Sequence, residues 1–592
     1  MGTPVYGRAK SLLGPQGLSN LPGPVWELGD TLVSEAEASA NIAHPASRGG
    51  ASSPFFPAAQ PITGARRAEC EELSPPQPMG RREFCVLGEA GKIGRRGPAS
   101  APRSRVKSAG AEAVMAARSV TLGIDLGTTS VKAALVEAAP GDPSGFVVLA
   151  SCARAAQAET AAQSAAAGPQ GQEQDVRRII QALHECLAAL PRQQLRKVCG
   201  IGVSGQMHGV VFWKTGQGCA WTEGGAAPVF EPRAVSHLVT WQDGRCGSEF
   251  LASLPQPESH LSVATGFGCA TIFWLLKNSP EFLKSYDTAG TIHDYVVAML
   301  CGLARPLMSD QNAASWGYFN TTSQSWNLEI LKAAGFPVQL LPDVAEPGSV
   351  AGRTSQAWFE IPKGTQVGVA LGDLQASVYS CMAQKTDAVL NISTSVQLVA
   401  SMPSGFQPAQ TPDPAAPVAY FPYFDRTYLA VAASLNGGNV LATFVRMLVQ
   451  WMADLGLEVE ESTVYSCMIQ AAAQQRDTCL TITPTVLGER HLPDQLASVT
   501  GISSSDLSLG HVTRALCRGI VQNLHSMLPF GQLQEWGVER VIGSGSALSR
   551  NEVLKQEVQR AFPLPVSYGQ DVDAAVGAAL VMLQRSLSQQ KS

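Results

Sequence analysis

The chain has 592 residues, 45% hydrophobic and 15% charged, with a formal net charge of −5 at pH 7. That length asks for more than one core, since single cores stop growing near about 250–300 residues, and that charge excludes a chain built to neutralise nucleic acid or an acidic membrane. Its thirteen cysteines show no Cys-x-x-Cys pair or metal-ligand spacing, as expected of a reduced cytosolic chain in which residues such as Cys186 and Cys517 act as small buried hydrophobes.

Residues 1–114 are rich in Gly, Pro, Ala, Ser and Arg, with basic pairs at Arg66 and Arg67, Arg81 and Arg82, and Arg95 and Arg96. No helical or strand period persists there, so the segment buries too little apolar surface to offset its ordering entropy. A disordered extension is expected. Its acidic residues argue against a mitochondrial transit peptide, and no compact apolar stretch marks a signal peptide. Tyr6 stands where a myristoylation signal needs Ser or Thr. Met115 then opens a segment with the texture of a folded domain.

From Val120 onward, short β-rich runs alternate with amphipathic stretches, which predicts an α/β architecture. VTLGIDLG (120–127) and VKAALVEA (131–138) read as two strands joined by a tight polar turn. VRRIIQALHECLAAL (176–190) has apolar residues at helical spacing and stops at Pro191. VCGIGVSG (198–205) is a strand entering a Gly-rich turn. The segment VLNISTSVQLVA (389–400) echoes TLGIDLGTTSVKAAL (121–135), again strand, hydroxyl-bearing turn, strand. Two such halves would clamp a nucleotide between them. No apolar run reaches the roughly 18 residues of a membrane span; the longest, 440–455, is interrupted by Arg446.

The turn after Asp125 suits a triphosphate. Gly127 lets backbone approach phosphate, Thr128, Thr129 and Ser130 supply hydroxyl and N–H donors, and Lys132 adds positive charge. Asp125, ending its strand, can hold Mg²⁺ through water. A plain hairpin with a polar turn is the alternative. In GVALGDLQAS (368–377), Asp373 follows an apolar strand and precedes a helix, where a carboxylate can take the proton of an attacking hydroxyl; simple helix capping is the competing reading. The small-residue loops SLNGGNV (434–440) and GSGSAL (543–548) can accept phosphate or a flat base, or be turns only. GVSGQMHG (202–209) offers Gln206, Met207 and His208 to a polyol. Gly200, Gly202 and Gly205 satisfy the dinucleotide pattern G-x-G-x-x-G, but a strand-like run follows where that motif needs a helix. Asn391 begins a formal glycosylation sequon, irrelevant in the cytosol.

Taken together, these segments resemble the FGGY carbohydrate kinases from about residue 115 to the C-terminus. The motifs GIDLGTTSVK, GVSGQMHG, TWQDGR, SDQNAAS, LGDLQAS, ISTSVQ, LNGGN, LGER, GSGSAL and DAAVGAAL appear in the family's order. The resemblance implies two actin/hexokinase/Hsp70-like (ribonuclease H-like) domains flanking an ATP cleft, divided as 115–370 and 371–592. It implies ATP and Mg²⁺ as cofactors. It makes Asp125 the Mg²⁺-associated aspartate and Asp373 the catalytic base, also touching metal and sugar. Thr128 and Thr129 become phosphate-loop residues, Thr394 and Gly438 further ATP contacts, and Gly545 with Asn551 neighbours of the adenosine. Met207 and His208 replace the Arg-Glu pair of glycerol kinases, which favours a ketose. A seven-carbon ketose bound for the pentose phosphate pathway is expected, with xylulose- or ribulose-type kinases and a non-catalytic ATP-binding regulator as alternatives. The chain is expected in the cytosol as a monomer or homodimer, with sugar and ATP as partners and neither nucleic acid nor membrane. It departs from the family at Ser393, before Thr394, where Gly is usual; at Thr271, where Lys is common; and at Leu374, where glycerol kinases have Gln.

Overall fold

The computed structural model describes residues 120–139, 145–160, 170–224, 227–382, 384–413, 415–492, 494–569 and 572–591. The expected extension over 1–114 and the start at Met115 lie outside the described residues.

Two sheets carry the architecture. The first uses β1 (Val120–Leu126), β2 (Ser130–Ala138), β3 (Phe146–Ala155), β4 (Val198–Gly205), β5 (Val350–Arg353), β6 (Gln366–Gly368) and the two-residue β7 (Leu371–Gly372). Its helices include α1 (Val176–Ala189), α2 (Gly268–Asn278), α3 (Ile292–Cys301), α4 (Asp310–Trp316) and α5 (Asp373–Cys381). The second sheet uses β8 (Asp387–Ile392), β9 (Val396–Ser401), β10 (Val418–Pro422), β11 (Tyr428–Ser434), β12 (Arg540–Ser544) and β13 (Val566–Tyr568). With it go α6 (Gly438–Asp454), α7 (Leu509–Met527) and α8 (Glu552–Ala561), and the last helix is α9 (Ala574–Lys591).

The strand order is β5-β6-β4-β1-β2-β3 in the first sheet, with β7 also on β4, and β10-β11-β9-β8-β12-β13 in the second. Both are built alike. β1, β2 and β3 run antiparallel in sequence, and β4 then joins β1 in parallel. β8, β9 and β11 repeat that meander, and β12 joins β8 in parallel. The sequence echo between 121–135 and 389–400 is therefore β1–β2 against β8–β9.

Local chemistry explains the elements. Every residue of β1 is buried, the pattern of a central strand covered on both faces. α1 starts where Asp175 accepts from the Arg177 amide, an N-cap that typically contributes about 1 kcal/mol. It buries Ile179, Ile180, Leu183 and Leu187 with β1 and β4 in the first core. Cys186 and Cys517 are fully buried, and all described cysteines are free thiols. No helix among the described residues is long and apolar enough to cross a membrane.

The last helix returns to the first sheet. A Cβ on Gly123 of β1 would stand 1.7 Å from the Ala575 carbonyl oxygen, and one on Gly202 of β4 would stand 2.0 Å from that of Ala578. A Cβ on Gly577 would meet the Ala376 carbonyl oxygen of α5 at 1.8 Å. DAAVGAAL is thus a close-packing seam, its small residues letting α9 lie directly on β1, β4 and α5. Gly202 belongs to this seam, and Val211–Trp213, which follows it, is a strand, in line with the rejected dinucleotide motif.

Candidate active site

Three parallel strands end at one edge. In register, Leu126 of β1 is level with Gly205 of β4, and Gly205 with Gly372 of β7. The turn at Gly127, the Gln206–His208 segment and the carboxylate of Asp373 therefore leave the sheet side by side. Crevices beyond the carboxyl ends of parallel strands are the usual ligand sites of α/β sheets.

Asp125 is 2% exposed and accepts from Ser204 Oγ at 3.1 Å. Burial lifts its carboxyl to about 6; Lys132 pulls it down, Asp573 adds to the rise, and the Ser204 hydrogen bond lowers it. Lys132 lies directly across the β1–β2 hairpin from Asp125 and reaches Asp573 at 3.8 Å. Asp573 in turn accepts from the Val576 amide and so caps α9. The buried Asp125 carboxylate, beside the Ser204 hydroxyl, is a hard oxygen ligand of the kind that a partly hydrated divalent cation takes.

The phosphate turn is held from outside. Gly127, Thr128 and Ser130 are half-buried and Thr129 is exposed. Trp241 Nε1 donates to Thr128 Oγ1 at 2.9 Å, and Gln174 Nε2 to the Thr128 carbonyl at 2.8 Å. Gln206 Nε2 donates to Gln174 Oε1 at 3.0 Å. A relay thus runs from Gln206 through Gln174 to the Thr128 turn. Of its members, Gln174 and Trp241 were not singled out from sequence. TWQDGR gave a motif without a role, and Gln174 sits in a polar stretch with no period.

TWQDGR builds the support behind that turn. Arg245 donates to Asp243 at 2.7 Å and to Glu173 at 2.7 Å, and its guanidinium lies 5.3 Å from the Trp274 ring centroid. All three charged groups are buried, so the ion pairs fix the strand carrying Gln174.

Asp373 is the first residue of α5, and the N-cap is Gly372. Its Oδ1 accepts from the Leu374 amide at 2.8 Å, and the helix N-terminus favours the charged carboxylate. The residues before it are clamped. Gln311 Oε1 of α4 accepts from the Gly372 amide at 3.2 Å, and Asn312 Nδ2 donates to the Ala370 carbonyl at 3.1 Å. A Cβ on Gly372 would meet Gln375 Oε1 at 2.2 Å and Met207 Sδ at 2.7 Å. Gln375 Nε2 reaches across to the Pro422 carbonyl on β10 at 3.1 Å. SDQNAAS therefore holds the candidate base.

In the sugar segment, His208 has φ of +69°, a conformation that costs a non-glycine residue energy and concentrates at functional sites. Its Nδ1 donates to the Ser315 carbonyl at 2.9 Å and its ring stacks on Phe267. Met207 and Leu374 are buried in an apolar cluster that continues into Val389, Val399 and Ile542 of the second sheet. Thr271 is buried in α2, so its departure from Lys lies in a core.

On the second sheet, Ser393–Ser395 turns between β8 and β9. The Gly438 amide donates to the Ser393 carbonyl at 2.8 Å and the Asn439 amide to that of Thr394 at 3.0 Å. Gly545 follows β12 with φ of +95°, and a Cβ there would stand 2.3 Å from Asn391 Oδ1, which only glycine tolerates. Thr394, Gly438 and Gly545 thus cluster at the carboxyl ends of β8 and β12. Asn551 is fully buried and caps α8, its Oδ1 accepting from the Val553 and Leu554 amides at 3.0 and 3.1 Å.

Residues 120–379 match the model of the FGGY family of carbohydrate kinases, N-terminal domain. The chain is 88% identical over 478 residues to the sedoheptulokinase of Homo sapiens, covering 81% of this chain and 100% of that protein. It is 86% identical over 477 residues to the sedoheptulokinase of Mus musculus, with the same coverage. Among solved structures, xylulose kinase from Rhodospirillum rubrum matches with a TM-score of 0.63 at 20% identity over 79% of this chain and 90% of that one. That likeness bears on the fold, a pair of actin/hexokinase-like lobes.

Proposed function

This chain belongs to the FGGY family of carbohydrate kinases, and from that premise we propose that it transfers the γ-phosphoryl group of ATP to sedoheptulose, forming sedoheptulose 7-phosphate. It is a sugar kinase. The observation that carries the proposal is the shared edge of β1, β4 and β7, which brings Asp125, the Gln206–His208 segment and Asp373 together.

Phosphoryl transfer is mainly positioning and charge neutralisation. Asp373, negative at the start of α5, accepts the proton of the sugar hydroxyl as its oxygen bonds to the γ-phosphorus; the β–γ bridging oxygen leaves with ADP. Gln206 and His208 orient the sugar, and the relay through Gln174 ties that grip to the Thr128 turn. Backbone and hydroxyl donors of Gly127–Ser130 on one side, and of Thr394, Gly438 and Gly545 on the other, receive the triphosphate. Asn551 would serve the adenosine end by capping α8. Mg²⁺, when bound, neutralises phosphate oxygens, and Asp125 with Asp373 are the residues that would hold it.

Two lobes, 115–370 and 371–592, are proposed, with α9 of the second segment packed on the first sheet and 1–114 an extension. In support, 81% of the chain matches the whole length of its human relative. A cytosolic monomer or homodimer feeding the pentose phosphate pathway completes the reading.

The test is ADP release with sedoheptulose, xylulose, ribulose and glycerol compared side by side. Highest kcat/KM on sedoheptulose is expected. Activity on xylulose without activity on sedoheptulose would overturn the substrate assignment, and ATP binding without turnover of any sugar would favour a regulatory protein.

A further inference from the structure

Glu489, in LGER, is a carboxylate 1% exposed to solvent. Four donors converge on it. Ser434 Oγ, Asn436 Nδ2 and Asn523 Nδ2 donate to Oε1 at 2.6, 2.8 and 2.7 Å, and the Leu435 amide donates to Oε2 at 3.2 Å. Hydrogen bonds to an ionised acceptor are about twice as strong as neutral ones.

Three of those donors are consecutive residues, 434–436, at the end of β11. Asn436 is fully committed to the same segment: its Nδ2 also donates to the Gly488 carbonyl at 2.7 Å and its Oδ1 accepts from the Leu487 amide at 3.2 Å. The next residues touch the second phosphate turn. Gly438 and Asn439 donate their amides to the Ser393 and Thr394 carbonyls, and a Cβ on Gly437 would stand 2.7 Å from the Ser395 carbonyl carbon. One rigid path therefore leads from Glu489 through Asn436 to the Ser393–Ser395 turn. The fourth donor, Asn523 of α7, anchors the carboxylate from the opposite side.

We infer that Glu489 is a positioning residue for the nucleotide: its buried carboxylate sets the 435–439 turn against the Ser393–Ser395 turn and so fixes the affinity for ATP. The inference rests on the reading of that turn as an ATP contact. A carboxylate is required because both its oxygens accept and neither donates. A glutamine would turn an NH₂ group either on the Leu435 amide or on three side-chain donors.

The test uses the full chain and Glu489→Gln, with KM for ATP, KM for the sugar, ATP binding by calorimetry and thermal unfolding. A rise of about tenfold in KM and Kd for ATP is expected, with sugar KM unchanged. A folded variant whose ATP constants stay within about twofold of wild type overturns the inference alone. A wild-type chain that binds no ATP overturns the nucleotide reading and the inference with it. Should Glu489→Gln fail to fold, Asn436→Ser, which leaves Glu489 its other three donors, decides by the same criterion.

Discussion

The imidazole of His208 lies flat on the ring of Phe267, the centroids 4.4 Å apart and the planes within 8°. With Nδ1 tied to Ser315, the stack leaves the ring one orientation. Aromatic pairs of this kind contribute about 0.5–1.5 kcal/mol beyond burial. Phe267→Leu should therefore raise KM for the sugar by about three- to tenfold, with KM for ATP unmoved. Steady-state kinetics with each substrate varied in turn checks this; equal rises in both constants would point to general loosening.

Asp373→Asn keeps an acceptor for the Leu374 amide and removes the proton acceptor. Turnover should fall about 10²–10⁴-fold while calorimetric ATP binding persists. Unchanged turnover would take Asp373 out of the mechanism.

Gln311 tests whether the clamp on Gly372 matters. Gln311→Met keeps the volume and removes the acceptor, stranding a buried amide at a cost of about 1–3 kcal/mol. We expect kcat to drop by roughly tenfold with both KM values little changed, since the displaced group is the proposed base and not either proposed binding surface. A loss confined to KM would refute it.

Asp294 gives a pH signature in the scaffold. Its carboxyl is pushed up to about 7 by burial, against hydrogen bonds from the Thr291 side chain and backbone that lower it. With the folded value above the unfolded one, the folded state holds the extra proton. The stabilisation from that proton is full below about 3.8 and is lost as pH rises through about 7. Asp294→Asn retains an oxygen for Thr291 and does not titrate. Its melting temperature should exceed wild type by more at pH 8 than at pH 5, in thermal scans across that range; a gap that shrinks with pH contradicts the sign.

Removing residues 1–114 should leave kcat/KM and the melting temperature unchanged, measured on the shortened chain beside the full one. Loss of folding would show that the segment takes part in a core.

Much of this was legible because it is local. Strand, hydroxyl turn, strand is a short-range pattern, and it located both β1–β2 and β8–β9. The position of Asp373 between strand and helix was equally readable. What stayed hidden was long-range. The apolar run before Asp373 is broken into β6 and β7, and α4, about 60 residues earlier in sequence, supplies the bonds that hold the break. Thr128 is gripped by Gln174 and Trp241, from 46 and 113 positions away. The Asn551 cap on α8 and the packing seam formed by DAAVGAAL depend on partners that motif spacing does not reveal.

The seam at α9 bears on how the molecule is made. β1 is synthesised long before α9, yet the surface that Gly123 and Gly202 leave bare is covered by Ala575, Ala578 and Ala579 of that helix. Domains often fold in order during synthesis; here the first sheet must wait, one face unsheltered, until α9 has been made. A chain cut before Ala574 would leave the first sheet bare on that face, and a nascent chain stalled before α9 should be a ready client for chaperones.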